Sequence, residues 1–296
     1  MIRRLLAVIL VIVQVAISTS DVTAQQATPE TAQVVNQRYE VDQRRSLHLR
    51  CTGTGSPTVI FESGSGSDST VWFGVSPSIA QVTRTCTYDR AGLGWSDPAP
   101  DGIRTIQDSV DDLHALLAVA EVPGPYVLVG ASLGGLIVRL YASQFPDEVA
   151  GLVLVDGLAP GFLAAALKRL PADVAVDAIE QASGTDPHDQ EHIDFLASDE
   201  LAAAATLPPV VPTIVLANDT LQRDLPSDLD RQTLTIIEVT WRAYELKQAE
   251  ELHGRLVVAK GSGHSFQQEQ PATVIDAVTE VVNAVRDPAS WATPVP

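Results

Sequence analysis

A serine set between two glycines, Gly130-Ala131-Ser132-Leu133-Gly134, constrains this chain more than any other stretch of it. The short apolar run Tyr126-Val127-Leu128-Val129 leads into it, and helical spacing begins near Leu133. G-x-S-x-G at a strand-to-helix junction has the pattern of a nucleophile elbow, where a strained turn lifts the serine hydroxyl clear of the sheet. Side chains two residues to either side would strike the neighbouring strand and helix, and glycine removes that clash.

The rest of the chain is punctuated in a way that suits such a turn. β-rich runs at Gln37–Val41 and Ser46–Cys51 are followed by the turn Thr52-Gly53-Thr54-Gly55-Ser56-Pro57 and the apolar strand Thr58–Phe61. A Gly/Ser loop, Glu62 to Ser67, comes next, and then a strand over Thr83–Tyr88. Helical spacing covers Ile106–Val119 and the stretch from the elbow to about Phe145. A near-continuous apolar strand fills Val149–Val155. Residues 157–211 change character: rich in Ala, Leu and Asp, they form a helical insertion closed by Leu207-Pro208-Pro209. Strand Thr213–Leu216, helix Trp241–Leu252, strand Arg255–Ala259 and helix Pro271–Val285 complete the pattern. Uninterrupted apolar strands alternating with helices define an α/β class with a mostly parallel sheet covered on both faces. Ligands of such sheets bind beyond the carboxyl ends of the strands, where Ser132, Asp156, the Gly64 loop and His264 all fall.

A serine hydroxyl needs a base to take its proton. In this architecture the chain order is serine, acid, histidine. His264, in the glycine-rich loop Gly261-Ser262-Gly263-His264 between the last strand and the last helix, is placed to reach the elbow. His253 lies at a charged helix end and reads as solvated, and His48 and His114 precede the elbow and read as structural. Two carboxylates follow strands and qualify as the orienting acid: Asp156, favoured by chain order, and Asp219 as runner-up. The backbone N–H groups of Leu133 and Gly64 are the expected oxyanion donors. The segment His188-Asp189-Gln190-Glu191-His192 fits the metal-binding pattern H-x-x-E-H, but an exposed acidic helix inside the insertion explains it more simply. No metal and no organic cofactor is expected.

Composition sets further limits. Arg3 and Arg4 precede an apolar run from Leu5 to Ile17, and Val22-Thr23-Ala24 supplies a small-x-small site, so residues 1–24 read as a secretory signal peptide and the chain as exported. The apolar run, 13 residues, is short of a membrane span. Residues 25–36 read as a loose segment and those from 288 to 296 as a loose tail, leaving a domain over 37–287. The 296-residue chain carries a formal charge of −18 and no Lys/Arg stripe, which argues against nucleic-acid or membrane partners beyond the signal peptide. Two cysteines, Cys51 and Cys86, are either a disulfide, as export favours, or two buried thiols.

Four stretches together resemble the α/β-hydrolase superfamily and its exported bacterial esterase-like members: His48–Gly53, Pro57–Gly64, Thr87–Pro98 and Val129–Gly135, with the Gly263-His264 loop completing the set. The resemblance implies an eight-stranded sheet in the order 1-2-4-3-5-6-7-8 and a small helical cap after the sixth strand, matching about 157–211. It implies Ser132 as nucleophile and His264 as base. It makes the strands of Cys51 and Cys86 neighbours, which favours the disulfide. The chain departs from the family pattern at two places. The usual acid slot beyond the seventh strand falls near Leu221 rather than on Asp219, and some relatives carry the acid where Asp156 stands. The usual His-Gly of the oxyanion loop is replaced by Glu62-Ser63. The expected activity is hydrolysis of a small-molecule carboxylic ester through an acyl-enzyme. A peptidase or lyase using the same serine, or a non-catalytic binding protein on the same fold, are the alternatives, because a fold hosts many reactions.

Overall fold

The structure, a computed structural model, describes residues 34–186, 189–219 and 229–291. The expected signal peptide over 1–24, most of the segment 25–36, His188 and the last five residues lie outside them.

Eight strands form one sheet: β1 (Val35–Asp42), β2 (Arg45–Thr52), β3 (Thr58–Glu62), β4 (Thr85–Tyr88), β5 (Tyr126–Ala131), β6 (Val149–Val155), β7 (Thr213–Asn218) and β8 (Arg255–Ala259). Their order is β1-β2-β4-β3-β5-β6-β7-β8. Strand β2 runs antiparallel to β1 and β4, and the other pairs are parallel. The expected eight-stranded, mostly parallel α/β-hydrolase sheet is the one observed.

The central strands are apolar throughout because both faces are covered. Leu128, Leu152, Leu154 and Val215 point into one core layer with α2 (Ile106–Val119) and α3 (Leu133–Gln144). Their neighbours Val127, Val129, Val153, Val155, Ile214 and Leu216 point into the other, with α1 (Ser76–Ile79) and α9 (Pro271–Arg286). The alternation is the two-residue period of a strand buried on both sides. Helix α2 starts with a capping box, Thr105 accepting from Gln107 and Asp108 returning a bond to the Thr105 N–H.

Between β6 and β7 the chain forms α4 (Phe162–Leu167), α5 (Ala172–Gln181) and α6 (Phe195–Ala204). The part of the H-x-x-E-H segment that is described is not the exposed helix expected from its composition. It is an irregular turn in which Asp189 accepts the N–H groups of Glu191 and Ile193, His192 has a positive φ, and Glu191 is buried. Ile193 bridges to Arg104, which ties the insertion back to the main body.

Helix α7 runs from Arg231 to Glu251, ten residues earlier than the expected start at Trp241. Its first turns are β-branched (Thr233, Thr235, Ile236, Ile237), a composition unfavourable to helix on propensity alone. The Asp230 side chain caps the start by accepting from Thr233, and burial of Thr233 and Thr240 outweighs propensity. A short helix, α8 (Phe266–Glu269), precedes α9. Beyond α9, Pro288–Ser290 form a 3-10 turn, and Trp291 packs against the α9 layer.

Cys51 and Cys86 are register partners on β2 and β4 and form a disulfide, with Cα atoms 4.1 Å apart. The bond closes a loop of 35 residues. Loop-closure entropy gives it about 3–4 kcal/mol of stability. Urea unfolding of the Cys51→Ala/Cys86→Ala protein should show a loss of that size; an unchanged midpoint would mean that the bond does not constrain the unfolded chain.

Candidate active site

The register brings the chemistry-bearing residues to one edge of the sheet. Glu62 pairs with Gly130, Ala131 with Val155, Val155 with Leu216 and Asn218 with Ala259. The residues just beyond these strand ends are therefore side by side: the Gly64 loop, Ser132, Asp156 and the loop carrying His264.

Ser132 has φ +51° and ψ −120°, a conformation that non-glycine residues rarely adopt. The turn is held by its surroundings. The Ser132 N–H donates to Val155 O at 3.3 Å, and Ser132 O accepts from Gly135 and Leu158, both at 2.9 Å. A Cβ at Gly130 would lie 2.4 Å from Gly134 O, and one at Gly134 would lie 2.7 Å from Glu62 O. These are the clashes that the two glycines of the motif avoid. Leu133 opens α3, where the first N–H groups have no intrahelical acceptor. Gly64 packs directly on the serine: a Cβ there would be 3.3 Å from Ser132 Cβ.

His264 donates its Nδ1–H to Asp156 Oδ2 at 2.5 Å. Asp156 is fully buried, with φ +46°. Its carboxylate also accepts from Asn218 N at 3.2 Å, Asn218 Nδ2 at 2.6 Å and Trp241 Nε1 at 3.2 Å. Burial acts to raise this carboxyl, but the hydrogen bonds from His264 and Asn218 and the charge of the imidazolium outweigh it and hold Asp156 below the ordinary range. The indole of Trp241 stands edge-on to the His264 ring, with centroids 5.6 Å apart. Asp219, the runner-up acid, instead accepts the Gly261 N–H at 2.7 Å, bracing the base of the histidine loop.

Residues that sequence reasoning missed surround these. Glu245, one turn along α7 from Trp241, is buried against Asp156. Burial and the nearby Asp156 charge push its carboxyl well above the ordinary range, so it holds a proton at neutral pH. Its neighbourhood in sequence, Glu245-Leu246-Lys247-Gln248-Ala249-Glu250-Glu251, reads as a solvated face. The only hint is the spacing of Trp241, Glu245 and Gln248 at i, i+4, i+7. Arg90 is the second. Fully enclosed, it bonds Glu62, Glu191, Ser63 O and Gly64 O, and Tyr88 donates its hydroxyl to Glu62. His48, read as structural, bonds Asp89 and Asn36. His114 stacks on Phe145, and His253 is exposed at the end of α7.

Known proteins match at the level of fold. A family model described as alpha/beta hydrolase fold covers residues 57–187. The probable transporter efuK of Hormonema carpetanum is 38% identical over 105 residues, 34% of this chain and 15% of that protein, so this chain corresponds to a small part of that relative. The uncharacterized protein Rv2715 of Mycobacterium tuberculosis is 27% identical over 292 residues, 84% of this chain and 83% of that one. A solved thermophilic esterase from Thermogutta terrifontis superposes with a TM-score of 0.53 at 22% identity, covering 86% of this chain and 99% of that one. With the strand order above, these matches show the α/β-hydrolase fold for this chain, with Ser132 and the Asp156–His264 pair at the strand ends.

Because Glu245 keeps a proton in the folded protein and loses it in the unfolded chain above pH of about 4.5, folding binds a proton at neutral pH, and stability from this group falls as pH rises. Glu245→Gln keeps the shape of the side chain and removes the titration. Its urea midpoint should decline less than that of the parent between pH 5 and 9; parallel curves would show that Glu245 is ionised in the native state.

Proposed function

We propose that this protein is an exported serine hydrolase that cleaves carboxylic esters of small or medium size. The observation that carries the reading is the His264–Asp156 hydrogen bond formed on the same strand edge as the strained Ser132. With Nδ1 bonded to Asp156, Nε2 is the imidazole nitrogen that takes the Ser132 proton. Ser132 Oγ then attacks the ester carbonyl. The N–H groups of Leu133 and Gly64 receive the developing oxyanion, and His264 returns the proton to the departing alcohol. Water, activated by the same histidine, attacks the acyl-enzyme, and Ser132 leaves with the proton. Asp156 stays ionised throughout, stabilising the transient imidazolium, and its low carboxyl affinity for protons fits that role.

Export rests on the basic and apolar N-terminal stretch and agrees with the disulfide. Among the described residues no helix is long and apolar enough to cross a membrane. The partner under this reading is a small-molecule ester, with neither metal nor organic cofactor taking part.

The purified protein should hydrolyse p-nitrophenyl esters and be labelled by a fluorophosphonate at Ser132. Ser132→Ala should lose both while keeping its unfolding midpoint; retained turnover would overturn the mechanism. Asp156→Asn should lower kcat by about 10³–10⁴-fold, since the imidazole loses its orienting charge. Asp219→Asn should stay within about threefold, because its bond is to the Gly261 backbone. Comparable losses in both variants would reassign the acid.

A further inference from the structure

The loop proposed to hold the oxyanion is gripped from behind by a buried ionic cluster that includes a residue of the insertion. Arg90 lies two residues beyond the end of β4 and is almost inaccessible to solvent. Its Nε donates to Glu191 Oε1 at 2.6 Å and its Nη2 to Glu191 Oε2 at 3.1 Å, a two-pronged pair. Nη1 also bonds Glu62 and donates to Ser63 O at 2.6 Å, while Nη2 donates to Gly64 O at 2.7 Å. Glu191 Oε2 in turn accepts the Gly66 N–H at 2.7 Å. The Ser63 side chain is fixed independently, accepting from Trp72 Nε1 at 3.0 Å and donating to Asp68 O at 3.2 Å.

The peptide that matters is the one between Ser63 and Gly64. Its carbonyl end is Ser63 O and its N–H end is the expected oxyanion donor. In a trans peptide these two groups point in opposite directions. Anchoring Ser63 O on Arg90 therefore fixes the direction of the Gly64 N–H, away from Arg90. A cationic donor on the carbonyl also polarises the peptide and strengthens its N–H as a donor. Lysine would supply the charge but not the fork that reaches two carboxylates and two carbonyls at once.

We propose that Arg90 is a positioning residue for the oxyanion hole, and that Glu191, from the insertion between β6 and β7, holds Arg90 in the orientation that aims the Ser63–Gly64 peptide at the reacting carbonyl. This rests on the reading of Gly64 as an oxyanion donor and adds a coupling between insertion and chemistry. The cluster also accounts for the Glu62-Ser63 pair in place of His-Gly: Glu62 is the second carboxylate that Arg90 requires.

The test is steady-state hydrolysis of p-nitrophenyl butyrate by Glu191→Gln and Arg90→Lys, with kcat expressed per folded molecule from circular dichroism and size-exclusion yield. Each variant should lose about 10–100-fold in kcat, part of what deleting an oxyanion donor costs, with KM changed less than threefold. A purely structural role would lower the unfolding midpoint and leave kcat per folded molecule intact; that result overturns the proposal, as does a loss confined to KM. If Arg90→Lys fails to fold, Glu191→Gln decides. If that fails too, Asp189→Asn, which loosens the turn presenting Glu191 from the surface, should give the same kcat-specific loss, and an unchanged kcat there refutes the coupling. Ser132→Ala separates the two levels. If it retains turnover, the catalytic reading falls and the coupling with it. If it is inactive while Glu191→Gln is unimpaired, the coupling alone falls.

Discussion

The buried carboxylate of Asp156 is where four separate elements of this structure are joined. It stands at the end of β6 with a positive φ, and it receives hydrogen bonds from the end of β7 (Asn218), from α7 (Trp241) and from the loop after β8 (His264). An unpaired carboxylate in such a place would cost several kcal/mol and would take up a proton instead. Here the donors outnumber the lone pairs that one partner alone would satisfy, and the charge is retained. The strained backbone at Asp156 is sustained because the partners over-determine it. Remove this carboxylate and α7, the β7 end and the histidine loop lose their common acceptor.

The carboxyl of Glu245 beside it shows how the charge is kept single. Two ionised carboxylates buried together repel, so one of them holds a proton. Glu245, on the helix, is the one that does. The pair thus presents one negative charge to His264.

The extent to which this was readable in advance follows the range of the interactions. The elbow and the convergence of Ser132, Asp156 and His264 at one edge derive from local patterns: glycines at fixed offsets, apolar runs, and residues just after strands; the strand order, and with it the pairing of Cys51 and Cys86, follows from the family resemblance that those motifs carry. The α7 start was not readable, because its β-branched turns are helical only through burial and the Asp230 cap. Neither were Glu245 or the Arg90 cluster. Glu191 lies 101 positions from Arg90, and its segment, rich in Asp, Gln and Glu, has the composition of a solvated helix. Burial of a charge depends on a partner that sequence distance conceals. The altered Glu62-Ser63 pair was visible, but its meaning was not until the structure put Arg90 against it.

These two buried clusters flank the serine and share a feature: each is reached by the segment between β6 and β7. Phe162, opening α4, packs edge-on against Trp241, with ring centroids 4.9 Å apart, and Trp241 donates to Asp156. Glu191, farther along the same segment, locks Arg90 behind the Gly64 loop. A cover that only restricted access would contact the rim of a site and be free to move. This one supplies a ring to the shell of Asp156 and a carboxylate to the support of the Gly64 loop. Displacing it as a whole would strip Arg90 of a buried counter-charge, which a desolvated guanidinium does not tolerate cheaply. The geometry around Ser132 therefore depends on the insertion staying docked at those two points. Between those two points the segment is held least: α5 has no buried residue.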